Sequence, residues 1–202
     1  MTKRRVYSLA SFPRSGNKFA QQILHHVFGL KCRTVYPVPV HPDEIAPQWD
    51  GIEQDVIVKT HELWGGETGI YVVRDPRDVY CSYAGYQSHV EGRIVKPLEL
   101  IQTTSWSEHV RSWRQPWVYP VRYEDLLLAP IPTIKAVLDK LSIESVAIGN
   151  MPNWDQLHAK RAWYYQRGIE GRWRDELTEA AIELCESKNR ECMRELGYVP
   201  LS

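Results

Sequence analysis

Short apolar runs alternate along this chain with stretches of helical periodicity, the pattern of a parallel sheet covered by helices. Val6, Tyr7 and Leu9 form a first run, Val56-Ile57-Val58 a second, and Ile70-Tyr71-Val72-Val73 a third. The last two are apolar without interruption, which predicts parallel strands buried on both faces. After the first run, Phe19, Ile23, Leu24, Val27 and Phe28 fall on one face at helical spacing, and Gly29 closes that helix. Residues 98–113 predict one helix over the sheet and residues 131–141 another. Leu177, Ala181, Leu184, Lys188, Cys192 and Leu196 predict a terminal helix stopped by Gly197. The run 117–121 contains Pro120, which cannot donate to a ladder, so this strand is expected at an edge or with an irregularity. Residues 38–51 are proline-rich and aperiodic.

Composition adds bounds. The chain has 202 residues, enough for a sizeable core, and no composition break, glycine-serine linker, repeat or low-complexity tract divides it. A single domain over residues 1–202 is expected. Lys and Arg number 25 against 25 Asp and Glu, so general attraction to nucleic acid or to an anionic membrane is not expected. The basic start, Met1-Thr2-Lys3-Arg4-Arg5, runs into an apolar stretch interrupted at Ser8 and Ser11, which reads as a first strand and not a signal peptide. Nothing approaches membrane-spanning length. Cys32, Cys81, Cys185 and Cys192 show neither a Cys-x-x-Cys pair nor Cys/His metal spacing, and the default expectation is a cytoplasmic protein with reduced thiols. Oligomeric state is left open.

The candidate chemistry begins where the first strand meets the first helix. Ser11-Phe12-Pro13-Arg14-Ser15-Gly16-Asn17-Lys18-Phe19 is a small-residue turn carrying two cations. In a strand-turn-helix of this kind the amides of the first helical turn and the positive end of the helix dipole face an anion, here joined by Arg14 and Lys18. A magnesium-triphosphate loop would need a second glycine and a Ser or Thr after the lysine; Asn17 splits Gly16 from Lys18, and Phe19 occupies the hydroxyl's place. Two strands then end in basic residues, Lys59-Thr60-His61 and Arg74-Asp75-Pro76-Arg77-Asp78. Open α/β sheets bind ligands at the carboxyl ends of their strands, so these cations are expected to converge on the same pocket. No strand end offers the acid of a Walker-type metal site. Asp75 suits an N-cap and Pro76 the first helical position, so a helix is expected to begin there, with Ser82 two turns along it and able to share a phosphate with Arg74.

In these segments, and in two more, the chain resembles the PAPS-dependent sulfotransferases, which move a sulfonate from 3′-phosphoadenosine 5′-phosphosulfate (PAPS) to a hydroxyl or amine. Residues 11–19 resemble the family's 5′-phosphosulfate loop, with Arg14 in place of its usual Lys, Asn17 and Lys18 in place of a Thr pair, and Phe19 in place of a common Trp. Lys59-Thr60-His61 is similar to the family's Lys-Thr-His segment. Arg74 and Ser82, eight apart, match the Arg and Ser that hold the 3′-phosphate. Val121-Arg122-Tyr123-Glu124-Asp125-Leu126 resembles the Tyr-Glu-Asp element, which places Tyr123 near the adenosine. Gln166-Arg167-Gly168-Ile169-Glu170-Gly171-Arg172-Trp173 is similar to the Arg-Lys-Gly-x-x-Gly-x-Trp segment that closes over the 3′-phosphate. Gln166 replaces a basic residue there, leaving that contact to Arg167 and the Gly168 amide.

The resemblance implies a P-loop-like three-layer α/β fold with a central parallel β-sheet flanked by helices. It also implies a mechanism. Main-chain amides of residues 15–18, with Arg14 and Lys18, hold the 5′-phosphosulfate, Lys59 offsets charge on the bridging oxygen, and neutral His61 takes the acceptor's proton. Neither a metal nor a covalent intermediate is required, and the product is 3′,5′-adenosine bisphosphate (PAP). Trp154 is the candidate for stacking on adenine, and residues 38–51 for covering the acceptor mouth. The acceptor is expected to be a small molecule or a glycan. His25 and His26 read as structural; His41, His89, His109 and His158 sit in no motif, although His41 and His89 could line an acceptor pocket. Two other readings are a P-loop small-molecule kinase and a non-catalytic adenosine-phosphate binder.

Overall fold

The structure is a computed structural model and describes residues 5–34, 56–151 and 169–199, together with Ala159. Among the described residues, five strands form one sheet: β1 (Val6–Ala10), β2 (Lys31–Thr34), β3 (Val56–Thr60), β4 (Gly69–Val73) and β5 (Val118–Arg122), in the order β2-β3-β1-β4-β5. All four pairings are parallel. Central β1 is flanked by β3 on one side and β4 on the other. After β1 the chain crosses to the outer strand β2, steps back to β3 beside β1, and then passes to the other side of β1 for β4 and β5. That reversal opens a crevice at the carboxyl ends of the three middle strands.

Both faces of the sheet are covered, as uninterrupted apolar strands require. Along β4 the side chains alternate. Ile70 and Val72 pack with Phe19, Ile23 and Leu24 of α1 (Asn17–His26) and with Ile134 and Leu138 of a helix on the same side. Tyr71 and Val73 pack on the opposite side with Val79, Tyr80, Ile101, Trp106 and Trp113. The three-layer α/β fold is the expected one.

The helices follow in chain order as α2 (Pro76–Glu91), α3 (Pro97–Thr103), α4 (Trp106–Ser112), α5 (Tyr123–Leu128), α6 (Pro130–Lys140), α7 (Trp173–Glu176) and α8 (Glu179–Glu195). Asp75 caps α2, its side chain accepting from the Arg77 amide at 2.9 Å, and Pro76 is the first helical residue, as its fixed φ favours. Gly197, at φ 77°, follows the end of α8. β5 is an edge strand, consistent with Pro120.

Two expectations are corrected, and one element is added. Residues 98–113 form two helices, not one. Thr104 and Ser105 are extended, and Ser105 Oγ starts α4 by accepting from the Glu108 amide at 3.3 Å. Lys188 Nζ donates to the Ile101 and Thr104 carbonyls, taking up acceptors that the broken helix leaves. The short edge strand β2, Lys-Cys-Arg-Thr, had no periodicity to announce it. Finally, Arg77 does not join the cations of the crevice. It is buried, bonded to Asp75 (Nη2 to Oδ2, 2.6 Å) and to Glu186 of α8 (Nη1 to Oε1, 2.7 Å), with its guanidinium 4.0 Å from the centre of the Trp173 ring.

Removing one member of a buried charge network leaves its partners desolvated and unpaired. Arg77→Met is therefore expected to destabilise the fold by about 3–5 kcal/mol, read as a lower urea midpoint at unchanged m-value. A loss under about 1 kcal/mol, the size of an exposed pair, would show that the network is solvated.

Candidate active site

The turn between β1 and α1 takes its shape from two left-handed residues, Arg14 at φ 68° and Gly16 at φ 100°. Gly16 occupies the N-cap of α1 and has no side chain to cap it, and the first turn holds no acid. The first-turn amides thus keep their anion-binding character. Ser15 Oγ is buried and has no hydrogen-bond partner among the described residues. Gly16 is required sterically as well: a Cβ there would lie 2.3 Å from the ring of Tyr123. Asn17 is buried, and its Nδ2 donates to the Leu9 and Thr60 carbonyls, each at 3.1 Å. Lys18 Nζ donates to Gln21 Oε1 on the next turn at 2.9 Å. Phe19 is buried in the core, 6.5 Å from the Tyr123 ring and edge-on to it.

Arg74 sits just past the end of β4. Its guanidinium lies 4.5 Å from the Tyr123 ring centre, its Nη2 donates to the Ile169 carbonyl at 3.3 Å, and its Nε is buried without a partner among the described residues. A buried polar atom without a partner costs free energy unless a ligand supplies one. Asp78 of α2 stands 4.0 Å from Arg74 and accepts from the Gly171 and Trp173 amides at 2.7 and 3.1 Å. Burial pushes its carboxyl above the ordinary range, while the two amides and Arg74 oppose that. Asp78 thus anchors the turn at 169–173 against the start of α2, a role its sequence position gave no hint of. Ser82, buried on α2, accepts from Arg14 Nε at 3.2 Å, and the Arg14 guanidinium lies 5.0 Å from the centre of the Tyr86 ring. Tyr123 opens α5 directly after β5.

Lys59 is buried near the carboxyl end of β3, opposite Leu9 in the ladder. His61 follows that strand. Its Nδ1 donates to the Ser11 carbonyl at 2.7 Å and lies 3.3 Å from Ser11 Oγ. With the proton on Nδ1, Nε2 carries the lone pair. Burial, then the Lys59 charge, push the imidazolium down to about 3, so the ring is neutral near pH 7. His109, which no motif marked, is buried and donates from Nε2 to the His61 carbonyl at 2.9 Å.

The crevice therefore gathers the start of α1, Arg14, Ser15, Gly16, Lys59, His61, Arg74 and Ser82, with Tyr123 beside it. Asn17 and Phe19 face inward as scaffold. Trp154, Arg167, Gly168, His41, His158 and residues 38–51 lie outside the described residues. His25 and His26 are exposed at the end of α1, their rings 4.8 Å apart, and His89 is exposed in the last turn of α2. Among the described residues, no group of three His, Cys, Asp or Glu could hold a metal ion, and no helix is long and apolar enough to cross a membrane.

Comparison with solved structures gives the same architecture. Mouse sulfotransferase SULT7A1, complexed with PAP, matches with a TM-score of 0.71 at 18% identity, over 98% of this chain and 90% of that one. Retinol dehydratase in a complex with retinol and PAP matches at 0.62 and 16% identity, over 96% and 83%. The same protein with androsterone and inactive cofactor PAP matches at 0.58 and 16%, over 96% and 82%. No curated protein sequence matches the chain. A sulfotransferase-domain family model matches residues 69–197, a span that takes in Arg74, Asp78, Ser82 and Tyr123. That match covers more than half of the sequence, and the chain belongs to the sulfotransferase family.

Proposed function

We propose that this protein transfers the sulfonate of PAPS to a hydroxyl or amine of a small-molecule or glycan acceptor, with His61 as base. The observation that carries this reading is the meeting of an uncapped helix start, buried Lys59, neutral His61 and buried Arg74 at the carboxyl ends of adjacent strands, in a chain of this family. The pocket fits a bisphosphorylated ligand. Ser15 Oγ and Arg74 Nε are buried polar atoms that phosphate oxygens would satisfy, and the structural relatives are complexes with PAP. A single domain over residues 1–202 belongs to the same reading, as does a cytoplasmic setting, which the four free cysteines support.

The chain's own groups divide the work. First-turn amides of α1, with Arg14, Ser15 and Lys18, hold the 5′-phosphosulfate. Arg74, Ser82 and Arg167 with the Gly168 amide hold the 3′-phosphate, while Tyr123 and Trp154 flank the adenosine. His61 Nε2 accepts the proton as the acceptor's oxygen or nitrogen bonds to sulfur. The bond from sulfur to the bridging oxygen breaks, its electron pair stays on that oxygen, and Lys59 offsets the charge that forms there. Fixed donors of this kind are worth on the order of 10²–10³-fold each.

Release of PAP from labelled PAPS in the presence of hydroxyl and amine acceptors tests transfer directly. No release with any acceptor, alongside tight PAP binding, would favour the non-catalytic binder. Arg74→Ala is expected to weaken PAP by the roughly 1.5–3 kcal/mol of a charged hydrogen bond and to spare adenosine 5′-phosphosulfate, which lacks the 3′-phosphate. Equal weakening of both in calorimetry would make Arg74 a scaffold residue.

His61→Asn keeps a donor for the Ser11 carbonyl but has no basic nitrogen. Turnover should fall by about 10²-fold or more with PAP affinity retained, and normal turnover would remove His61 from the mechanism. The ring also leaves a signature in the free protein. An unfolded imidazole titrates near 6.5 and the folded one near 3. Between those values the unfolded state binds more protons, so stability rises with pH; the contribution is complete above about 6.5 and lost as pH falls toward 3. The melting temperature should therefore drop from pH 7 to pH 5, and drop less in His61→Asn. Identical slopes would place the titration elsewhere.

A further inference from the structure

We infer that His109 is a positioning residue for His61, fixing the main chain from which the proposed base projects; the inference rests on the reading of His61 as that base. Beyond Thr60 the chain leaves the sheet, and residues 61–68 form no regular element before β4. The ladder that holds Lys59 in place does not reach His61. Helix α4 takes over. His109 Nε2–H donates to the His61 carbonyl at 2.9 Å, Trp113 Nε1–H donates to the Glu62 carbonyl at 3.0 Å, and the Trp64 amide donates to Ser112 Oγ at 3.3 Å. Three residues of the loop are thus held by three neighbouring residues at one helix end, with the bond nearest the chemistry made by His109.

The tautomer of His109 follows from its partners. A carbonyl accepts at Nε2, so Nε2 carries the proton and Nδ1 must accept. The Tyr71 hydroxyl of β4 donates to Nδ1 at 2.9 Å; burial pushes that phenol well above its ordinary range and keeps it protonated. The direction of the chain is fixed: Tyr71 O–H to His109, His109 N–H to His61 C=O. Because this bond ends on the backbone of His61 and not on its ring, it carries no proton to the reaction.

A second contact ties His109 to the other loop. Phe12 meets the imidazole edge-on, with centroids 5.7 Å apart and planes at 89°. Phe12 follows Ser11, whose carbonyl receives the His61 Nδ1 proton. One buried imidazole therefore touches both segments that orient the base: the backbone of His61, and the turn that holds its ring. An apolar side chain would fill the same space without burying a nitrogen pair. The polar residue is explained by where its proton points.

The test uses the whole protein and three variants. His109→Leu keeps bulk and removes the donor, whereas His109→Gln can place an amide N–H near the former Nε2. PAP affinity by calorimetry should be unchanged in both. With the Leu variant kcat should fall by about tenfold to about 10²-fold, the penalty of a catalytic group displaced by a fraction of an ångström to 1 Å, with acceptor KM changing less, and the Gln variant should recover most of the loss. Imidazole ¹⁵N shifts of His61 in the PAP complex should report a single Nδ1–H tautomer in the wild type and a mixture in His109→Leu. Normal kcat in the Leu variant, or Gln and Leu variants equally impaired, would overturn the inference. Should His109→Leu fail to fold, Tyr71→Phe decides: it deletes one oxygen and the bond that His109 Nδ1 accepts, and a kcat equal to wild type would overturn the inference, while a reduced kcat at unchanged PAP affinity would support it. If His61→Asn turns over normally, the base reading falls by itself, and the ¹⁵N shifts still report whether His109 orders the His61 ring.

Discussion

The side-chain amide of Asn17 donates to the last part of β1 and the last residue of β3 at once, through the Leu9 and Thr60 carbonyls. The parallel ladder between these strands ends at the pairing of Ala10 with Thr60. Past that point nothing in a sheet keeps two chains together, yet the turn at 11–16 leaves one strand and the Lys-Thr-His segment leaves the other. Asn17 supplies the last rung before that point, braced by the start of α1. The bond from His61 to the Ser11 carbonyl supplies the one after. The relative position of the helix start, Lys59 and His61 is therefore set by hydrogen bonds that continue the sheet beyond its own backbone pairing.

Charge is partitioned just as sharply. Over a formally neutral chain, the segment Arg74-Asp75-Pro76-Arg77-Asp78 sends one guanidinium toward the crevice and commits the other to two buried carboxylates. Arg77 ties α2 to α8, and Asp78 ties α2 to the turn at 169–173. The element that carries Arg74 and Ser82 is thereby held from behind. On the proposed reading the pocket needs such backing, because its cations repel one another until an anionic ligand arrives.

Much of this was legible because burial leaves a mark on sequence. Strands covered on both faces carry uninterrupted apolar runs, which exposed β4 and the first three residues of β3, and a helix start with small residues and no acid suits an anion, which singled out the turn at 11–19. What escaped had no such mark. β2 is four residues long at an edge, too short for a period to appear. The break between α3 and α4 was marked only by the five-residue step from Ile101 to Trp106 and by Ser105 as a cap, one hydroxyl among many. Arg74 and Arg77 are both arginines near one helix start, and only the arrival of Glu186 from 109 residues away separates their roles. His109 was unreadable for the same reason: its meaning lies in the loop that folds against it.

The contact between Gly16 and Tyr123 has a consequence for how this site can change. The ring that leaves no room for a Cβ at Gly16 is also the ring under the Arg74 guanidinium. On the proposed reading these neighbours attend opposite ends of one ligand, so the aromatic plane works as a spacer gauge. A methyl group at position 16 would push the ring, and the ring would carry the arginine with it. On that reading the two anion subsites are not free to drift apart in sequence one at a time: position 16 keeps its glycine both for its left-handed φ of 100° and for the ring beside it. On the proposed reading, the span between two phosphates is written into the thickness of one side chain.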